Sequence, residues 1–563
     1  MASGTTIELS SLPRIREAGL DSDKACLPGT RVKALDDLSA WINDPVAPRV
    51  RFLLGGAGTG KSSIAHSTGV SFDTLNRLGS FFRFDRTFEG ERPLTSVIRT
   101  IAHDLADWDP TFRLALANVL HDKRHLIGTI DITKQWEGLI LEPLKKVALV
   151  GPVLVIIDAF DECSSPETPL RQKLLKLLAE RSSELPPNFR ILITSRPEHD
   201  VTHVLRPSSS DHDSPQISHV FLDAMEETTS DIELFVRHQL LSHGSSSEEA
   251  LHDTDIRMLV TKAEGLFQWA ATACRAVLHN PAGLTLKERF DLRLGTVLAG
   301  GPSSLDDLYR SILGQLFNLD EQVLANRFRS IMAQILCTSS PLSIDSLDEM
   351  RRLATGVEKD EVTLVVEYMG SLLSGVSART SPIRPLHTSF RDFLTDKSRS
   401  KDWFVDLAAG HPLVVLGCFR IINKYLSFNI CALDSSYISN RDIPDLEARL
   451  TRFVPERLSY AARNWKDHLP DHHLPSDLLQ ELTTFSHNKL LFWLELLSLQ
   501  NAVNRAAPSL EAVTQLCDVS LILSVSRVLY PCSSYDYHRV LEATRSRRYC
   551  LTQFPSSVDL PVP

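Results

Sequence analysis

The sequence predicts an α/β core, a parallel sheet flanked by helices, followed by a region that is almost entirely helical. Three observations support this prediction. A glycine-rich loop, G-G-A-G-T-G-K-S-S at residues 55–63, stands between an apolar, β-prone run and a helical pattern. Further apolar runs end in polar residues, as strands of a parallel sheet do beside a ligand site. From Asp231 onward, the apolar residues recur almost only at helical spacing.

The loop has the pattern G-x-x-x-x-G-K-[ST], which forms a phosphate cradle when a strand precedes it and a helix follows. Its glycines let backbone N–H groups face one concavity, and the helix adds its positive end. We expect Lys61 to reach the β- and γ-phosphates and the Ser62 hydroxyl to bind Mg²⁺. A glycine-rich turn without a ligand is the alternative. The predicted phosphate-binding residues are Gly55, Gly56, Ala57, Gly58, Thr59, Gly60, Lys61, Ser62 and Ser63.

The strands after the loop favour the phosphate cradle over a simple turn. Residues 152–157 run without a polar break into Asp158, as a strand buried on both faces of a parallel sheet requires. The run at 189–194 leads to Arg196, and shorter strands are predicted at 78–84 and 219–222. Ligands bind at the carboxyl ends of the strands in open α/β sheets, so these polar residues should meet the phosphates.

Asp161 and Glu162 follow the run at 152–157, three and four residues after Asp158. A carboxylate beside Mg²⁺ supplies the base that orients water on a γ-phosphate. A solvated strand end is the alternative for the two acids, and a surface ion pair is the alternative for Arg196. We therefore predict that all three residues are catalytic.

The composition and net charge argue against several other classes of function. A net charge of −10 and a pI of about 6.0 provide no basic field for nucleic acid or anionic lipid. The 9 cysteines include no C-x-x-C pair and no histidine spacing typical of zinc, so structural thiols in a reducing compartment are expected. No signal peptide and no apolar run of about 20 residues is found, which predicts a cytoplasmic protein without a membrane span.

The motifs resemble the NACHT nucleotide-binding proteins of filamentous and mushroom-forming fungi, within the STAND class of signalling NTPases. The resemblance rests on the loop at 55–63 and on motifs along most of the chain. These are C-L-P-G-T-R (26–31), V-I-I-D-A-F-D-E-C (155–163), I-T-S-R-P-E (193–198), G-L-F-Q-W-A (265–270), L-D-D-L-Y (305–309), R-P-L-H-T-S-F-R-D-F-L (384–394) and Y-A-A-R-N-W-K-D-H-L (460–469).

The resemblance implies a domain order. It predicts a leader at 1–25, a P-loop nucleotide-binding domain at 26–230, a helical lid at 231–320, a winged-helix domain at 321–400, a helical linker at 401–530 and a tail at 531–563. Related receptors often place a proline in the lid near the base. Here Gly265-Leu266-Phe267 contains none, which puts that stacking contact in doubt.

The resemblance also implies roles for single residues. Asp158 corresponds to the Walker B carboxylate, which holds Mg²⁺ through water, and Asp161 and Glu162 correspond to the acidic pair of hydrolysis. Arg196 corresponds to the sensor of the γ-phosphate. His387 corresponds to the winged-helix histidine that closes on the β-phosphate of ADP, although a lone histidine is more often a core residue. Near the adenine, the resemblance places Thr30 and Arg31.

The function implied is a switch that is closed with ADP and that opens and self-associates with ATP, with slow hydrolysis. The expected ligands are therefore ATP or ADP and Mg²⁺. Such proteins usually carry an effector domain before this core and sensor repeats after it. The chain shows neither, which fits a truncated paralogue, a fragmentary gene model or a protein that borrows both modules from effector or sensor partners of unknown identity. A fast housekeeping ATPase and a nucleotide-binding scaffold, or dominant-negative regulator, are the alternatives.

Overall fold

The computed structural model describes residues 12–15, 18–86, 93–163, 168–205, 217–222, 227–241, 251–279, 284–299, 304–358, 361–435 and 437–516. The predicted tail at 531–563 lies outside the described residues. The chain divides into two compact units. Unit 1 combines Met1–Phe317 with Leu386–Phe393, and unit 2 combines Asn318–Pro385 with Leu394–Pro563. This division does not test the six predicted domains, which stay predictions.

A five-stranded parallel sheet forms the centre of unit 1 and confirms the predicted α/β class. The strand order is β2-β3-β4-β1-β5. The strands are β1 (Val50–Leu54), β2 (Leu78–Arg83), β3 (Val153–Asp158), β4 (Phe189–Ser195) and β5 (Ile217–Phe221). Because β4 lies between β1 and β3, the residues that follow β4 emerge between the glycine loop and Asp158.

Both faces of the sheet are covered, as the uninterrupted apolar run of β3 predicts. Val153, Val155 and Ile157 pack into one hydrophobic cluster, and Leu154 and Ile156 pack into another. The two sets alternate because successive side chains of a strand point to opposite faces. The surrounding helices are α1 (Val32–Asn43), α2 (Lys61–Thr74), α3 (Val97–Trp108), α4 (Pro110–Asp122), α5 (Ile132–Gln135), α6 (Glu142–Leu144), α7 (Pro169–Arg181) and α8 (His199–Val204).

The helical part of unit 1 follows the sheet. It contains α9 (Thr228–Leu241), α10 (Asp253–Ala263), α11 (Phe267–Leu278), α12 (Leu286–Ala299) and α13 (Leu305–Leu316). Ser304 and Asp307 form the capping box that the sequence predicts at the start of α13. Residues 386–393 also belong to this unit and include most of α17 (Thr388–Thr395).

Unit 2 is helical apart from one small antiparallel pair, β6 (Leu373–Ser374) and β7 (Arg384–Pro385). The helices are α14 (Gln322–Cys337), α15 (Ile344–Thr355), α16 (Thr363–Val366), α18 (Lys397–Ser400), α19 (His411–Tyr425), α20 (Leu446–Phe453), α21 (Glu456–Asn464), α22 (Ser476–Asn488), α23 (Leu490–Leu499) and α24 (Ala506–Leu516).

No described helix alone is both long enough and apolar enough to cross a bilayer. One bent pair, Lys397–Trp403 with Leu407–Tyr425, meets the requirement in length and composition only, with an angle of 52° at the break.

Candidate nucleotide-binding site

The glycine-rich loop links β1 to α2 at the carboxyl edge of the sheet. Gly58 and Gly60 have φ angles of +81° and +92°, a region that residues with a Cβ rarely adopt. A Cβ at Gly58 would also lie 2.5 Å from Cβ of Gln268, at the start of α11. Gln268 donates its backbone N–H to the Gly58 carbonyl at 3.0 Å. The loop therefore needs glycine at these positions, both for its own turn and for the approach of α11.

The ammonium group of Lys61 lies over the concave side of this loop. Its Nζ donates to the carbonyls of Gly55 at 2.8 Å and Gly56 at 2.7 Å. Thr59 closes the turn by donating from Oγ1 to the Gly56 carbonyl at 3.0 Å. Next to the lysine, Ser62 and Ser63 form the first turn of α2, and both are partly exposed, as is Ala57 in the loop. The predicted phosphate-binding residues thus lie together in the loop and the first turn of α2, with the Lys61 ammonium group bonded to the loop.

Asp158 ends β3 and is fully buried. Thr194 of β4 holds it, because Thr194 Oγ1 donates to Asp158 Oδ1 at 2.6 Å and accepts from the Ala159 N–H at 2.8 Å. Arg83 Nε lies 3.6 Å from Asp158 Oδ2. Among the described residues, Oδ2 has no hydrogen-bond partner. A buried carboxylate oxygen of this kind fits a Mg²⁺ ion that is held through water, with Ser62 as the second oxygen donor.

Asp161 and Glu162 lie side by side in a 3-10 turn, but their surroundings differ. Asp161 accepts the backbone N–H of Arg196 at 3.1 Å and pairs with Arg196 Nε at 2.9 Å. Glu162 is 8% exposed and accepts the backbone N–H of Arg86 at 3.3 Å. Burial, with the nearby charges of Asp85 and Asp161, raises the pKa of Glu162 to about 8. Glu162 is thus suited to take up or release a proton near neutral pH.

Arg196 is held between the sheet edge and helix α17. Its Nη1 pairs with Asp392 Oδ2 at 2.8 Å, and its Nη2 donates to Thr388 Oγ1 at 3.4 Å. A second arginine, Arg86, donates to Asp392 Oδ1 at 3.3 Å and to the Asp161 carbonyl at 3.0 Å. One carboxylate therefore joins two arginines, and we call Arg86, Arg196 and Asp392 the Asp392 bridge.

His387 precedes α17 and is oriented by its neighbours. The Ser389 backbone N–H donates to His387 Nδ1 at 3.1 Å, which leaves the ring proton on Nε2. Ser389 Oγ contacts Nδ1 at 2.7 Å and the Tyr309 hydroxyl at 2.9 Å. Burial, then the charges of Arg196 and Lys61, lowers the pKa of His387 to about 3. The imidazole is thus neutral at pH 7, with a single N–H donor.

Thr30 and Arg31 are buried behind the loop rather than on its open side. Thr30 Oγ1 donates to the Leu27 carbonyl at 2.7 Å. Arg31 donates from Nη2 to the Thr59 carbonyl at 2.8 Å, and its guanidinium stacks on Phe267, 4.8 Å from the ring centroid. Arg31 therefore fixes the loop to the start of α11. The contact of these two residues with adenine stays a prediction.

Sequence reasoning missed Arg86, Thr194, Tyr309 and Asp392. Arg86 follows the carboxyl end of β2, next to β3, so the rule that placed Asp158 at the site also applies to it. Tyr309 and Asp392 stand in the quoted motifs L-D-D-L-Y and R-P-L-H-T-S-F-R-D-F-L. Their partners lie far away in the sequence, and no spacing rule pairs them.

A family model, described as the N-terminal region of nephrocystin 3, matches residues 29–196. No curated protein sequence matches the chain. Among solved structures, a STAND protein with a tetratricopeptide repeat sensor from Pyrococcus horikoshii is similar. It has 11% identity and a TM-score of 0.39, with 96% of this chain and 72% of that chain covered.

Two further solved structures are similar to this chain. The Walker-type ATPase of Pyrococcus abyssi has 13% identity and a TM-score of 0.29, with 68% of this chain and 97% of that chain covered. The Drosophila ORC bound to DNA has 11% identity and a TM-score of 0.30, with 69% and 90% covered. Because these similarities are distant, the candidate nucleotide site is inferred from the loop, sheet and side chains of this chain.

Proposed function

We propose that the chain is an ATP/ADP-binding switch of the STAND class, which is closed with ADP and which opens and self-associates with ATP. Nucleotide binding is supported by the strand–loop–helix geometry, by the bonds of Lys61 to the loop and by Asp158 Oδ2, which has no hydrogen-bond partner among the described residues. Slow hydrolysis is supported by Glu162, whose pKa of about 8 lies near the working pH of a general base.

The Asp392 bridge is the observation that carries the switch. Asp392 belongs to helix α17, whereas Arg86 and Arg196 follow strands β2 and β4. The bridge therefore ties the segment with His387 to the carboxyl edge of the sheet.

Arg196 is the residue through which nucleotide would act on this attachment. ADP would leave Arg196 paired with Asp392, while the Nε2–H of His387 would donate to the β-phosphate. With ATP, Arg196 would exchange Asp392 for the γ-phosphate, since a guanidinium binds phosphate and carboxylate through the same fork of donors. Loss of this ion pair would then weaken the attachment of α17, which Arg86 alone would hold through Asp392.

Nucleotide can shift such an equilibrium only by binding one state more tightly. Each 1.4 kcal/mol of difference shifts the ratio of the two states about tenfold. A charge-assisted hydrogen bond contributes about 1.5–3 kcal/mol. The His387 donor and the Asp392 bridge are therefore of the right size to bias the closed state without locking it.

Substitution of His387 by leucine tests the proposal. Without the imidazole donor, the closed state loses its bond to the β-phosphate, so ADP affinity should fall about tenfold to a hundredfold. ATP affinity should change little, because the open form would not use His387. Calorimetric dissociation constants of both nucleotides measure the effect, and mass spectrometry shows how much ADP remains on the purified variant.

His487→Leu provides the control, because His487 is an exposed histidine near the end of α22. It should leave both constants unchanged. Equal losses for ADP and ATP in His387→Leu, or no loss, would reduce His387 to a structural residue. A wild-type turnover above about 1 s⁻¹ would favour the fast ATPase.

A further inference from the structure

Unit 2 contains a second cluster of chemically active side chains, unrelated to the phosphate loop. Cys337 ends α14, His411 begins α19, and His468 ends the 3-10 turn Trp465–His468. One possible ligand atom from each residue lies within 4.8 Å of the other two. The Nδ1 atoms of His411 and His468 are 2.9 Å apart. We call these three residues the Cys–His cluster.

The backbone is shaped to bring these residues together. Gly410 packs directly against the end of α14, where an added Cβ would lie 2.7 Å from the Ala333 carbonyl oxygen and 2.9 Å from Cys337 Sγ. Any larger residue would push α19 away, and the imidazole of His411 with it. Cys337 and His468 are buried, and His411 is partly exposed, so solvent has access from one side.

Tyr460 provides an outer partner for the cluster. Its hydroxyl oxygen lies 2.7 Å from His468 Nε2 and accepts the Ser339 N–H at 3.0 Å. A phenolic oxygen has two acceptor sites, so it can also accept a hydrogen bond from the Nε2–H of His468. Metal-binding histidines almost always donate their second N–H in this way, which fixes the tautomer that leaves Nδ1 free of a proton.

We propose that Cys337 Sγ, His411 Nδ1 and His468 Nδ1 bind a zinc ion. A thiolate with two imidazoles is a donor set that suits Zn²⁺, and three protein ligands leave one tetrahedral position for water. On binding, the Cys337 thiol releases its proton to solvent, and the proton of His468 resides on Nε2, facing Tyr460. The ion joins the end of α14, the start of α19 and the turn after α21, so it clamps three segments of unit 2 that are far apart in sequence.

Zinc content of the full-length chain is the first measurement. The protein is purified without a metal-affinity column, and elemental analysis should find about one zinc per chain. Chelator-treated protein is then titrated with Co²⁺ alone, a spectroscopic substitute for Zn²⁺. The expected spectrum has tetrahedral d–d bands and a thiolate-to-cobalt charge-transfer band.

Three variants locate the ion. Cys337→Ser should abolish the charge-transfer band, while Cys431→Ser, at a buried cysteine of the same unit outside the cluster, should keep it and serves as the matched control. Tyr460→Phe keeps all three ligands, removes only the outer partner, and should weaken Co²⁺ and Zn²⁺ binding about tenfold to a hundredfold. Its effect on affinity, with the charge-transfer band retained, separates a metal site from a merely structural role.

The alternative to a zinc site is a chain of hydrogen bonds among the same residues. The cluster is also satisfied without metal, if Tyr460 donates to His468 Nε2 and the His468 Nδ1–H donates to His411. Wild-type protein that binds no stoichiometric zinc or cobalt would establish this hydrogen-bonded chain and overturn the proposal. A charge-transfer band that persists in Cys337→Ser would also overturn it.

Discussion

The phosphate loop and the Asp392 bridge lie in the same unit but are built in opposite ways. The loop takes its residues from one continuous stretch, and its shape depends on the positive φ angles of Gly58 and Gly60. The bridge takes Arg86, Arg196 and Asp392 from three distant segments. The turn of the loop is set by its own backbone, with α11 in contact at Gly58, whereas the bridge exists only while α17 lies against the sheet edge.

This difference separates binding from the recognition of nucleotide state. Lys61 should hold the phosphates in either state, because it begins α2 and its ammonium group donates to the loop carbonyls of Gly55 and Gly56. The bridge should hold only the closed state. A substitution in the loop should therefore affect ADP and ATP alike, whereas one in the bridge should affect ADP more.

The largest effect is expected from Lys61→Ala, which removes the only full charge that the loop itself offers to the phosphates. Nucleotide at about 100 times its Kd should stabilise the wild type by about 2.7 kcal/mol. The variant should show no stabilisation by ATP or ADP in thermal unfolding. Lys33→Ala is the control, because Lys33 is an exposed lysine of α1, whose Nζ lies 3.9 Å from Glu227 Oε1. An undiminished thermal shift in Lys61→Ala would remove the loop from nucleotide binding.

A smaller and selective effect is expected from Asp392→Asn, which keeps the side chain's shape but removes its charge. Arg86 and Arg196 then lose their shared carboxylate, which costs the closed state about 1.5–3 kcal/mol. The ADP Kd should rise about tenfold to a hundredfold, with an ATP Kd that is unchanged or lower. In ATP, the variant should also sediment as a larger species at lower nucleotide concentration.

Asp320→Asn is the control for this experiment, since Asp320 is exposed and lies outside the bridge. Calorimetry and sedimentation velocity measure the two readouts. Equal weakening of ADP and ATP would mean that the bridge shapes the site without sensing its state. The comparison between loop and bridge would then fail.

The sequence predicted well what depends on neighbouring residues. The five strands, the glycine loop and the capping box of Ser304 follow from local pattern and conformational preference. It could not pair Asp392 with Arg86, or Cys337 with His411 and His468, because such pairs depend on how distant segments pack. It also assigned Asp161 and Glu162 one shared role, because the ion pair between Asp161 and Arg196, which Glu162 does not share, depends on tertiary packing.

The smallest effect is expected from Glu162→Gln, which tests how Glu162 differs from Asp161. The pKa of Glu162 is raised from 4.5 to about 8, so the folded chain keeps a proton that the unfolded chain loses above about pH 5. Its contribution therefore destabilises the fold increasingly from about pH 5 to about pH 8, by about 1.4 kcal/mol per pH unit. Glu162→Gln removes the titration. Relative to wild type, the free energy of unfolding of the variant should rise by about 1.4 kcal/mol between pH 6 and pH 7, measured by urea unfolding without nucleotide.

Glu184→Gln is the control for the pH effect. An ion pair with Arg181 lowers the pKa of Glu184 from its usual value, so this exposed carboxylate is ionised in both states between pH 6 and pH 7. Its substitution should leave the pH slope unchanged. Glu162→Gln should also bind ATP but hydrolyse it more slowly, because the amide cannot accept a proton from water. A wild-type pH slope in Glu162→Gln would show that the carboxyl is ionised at pH 7, and unchanged turnover would assign the base to Asp161 instead.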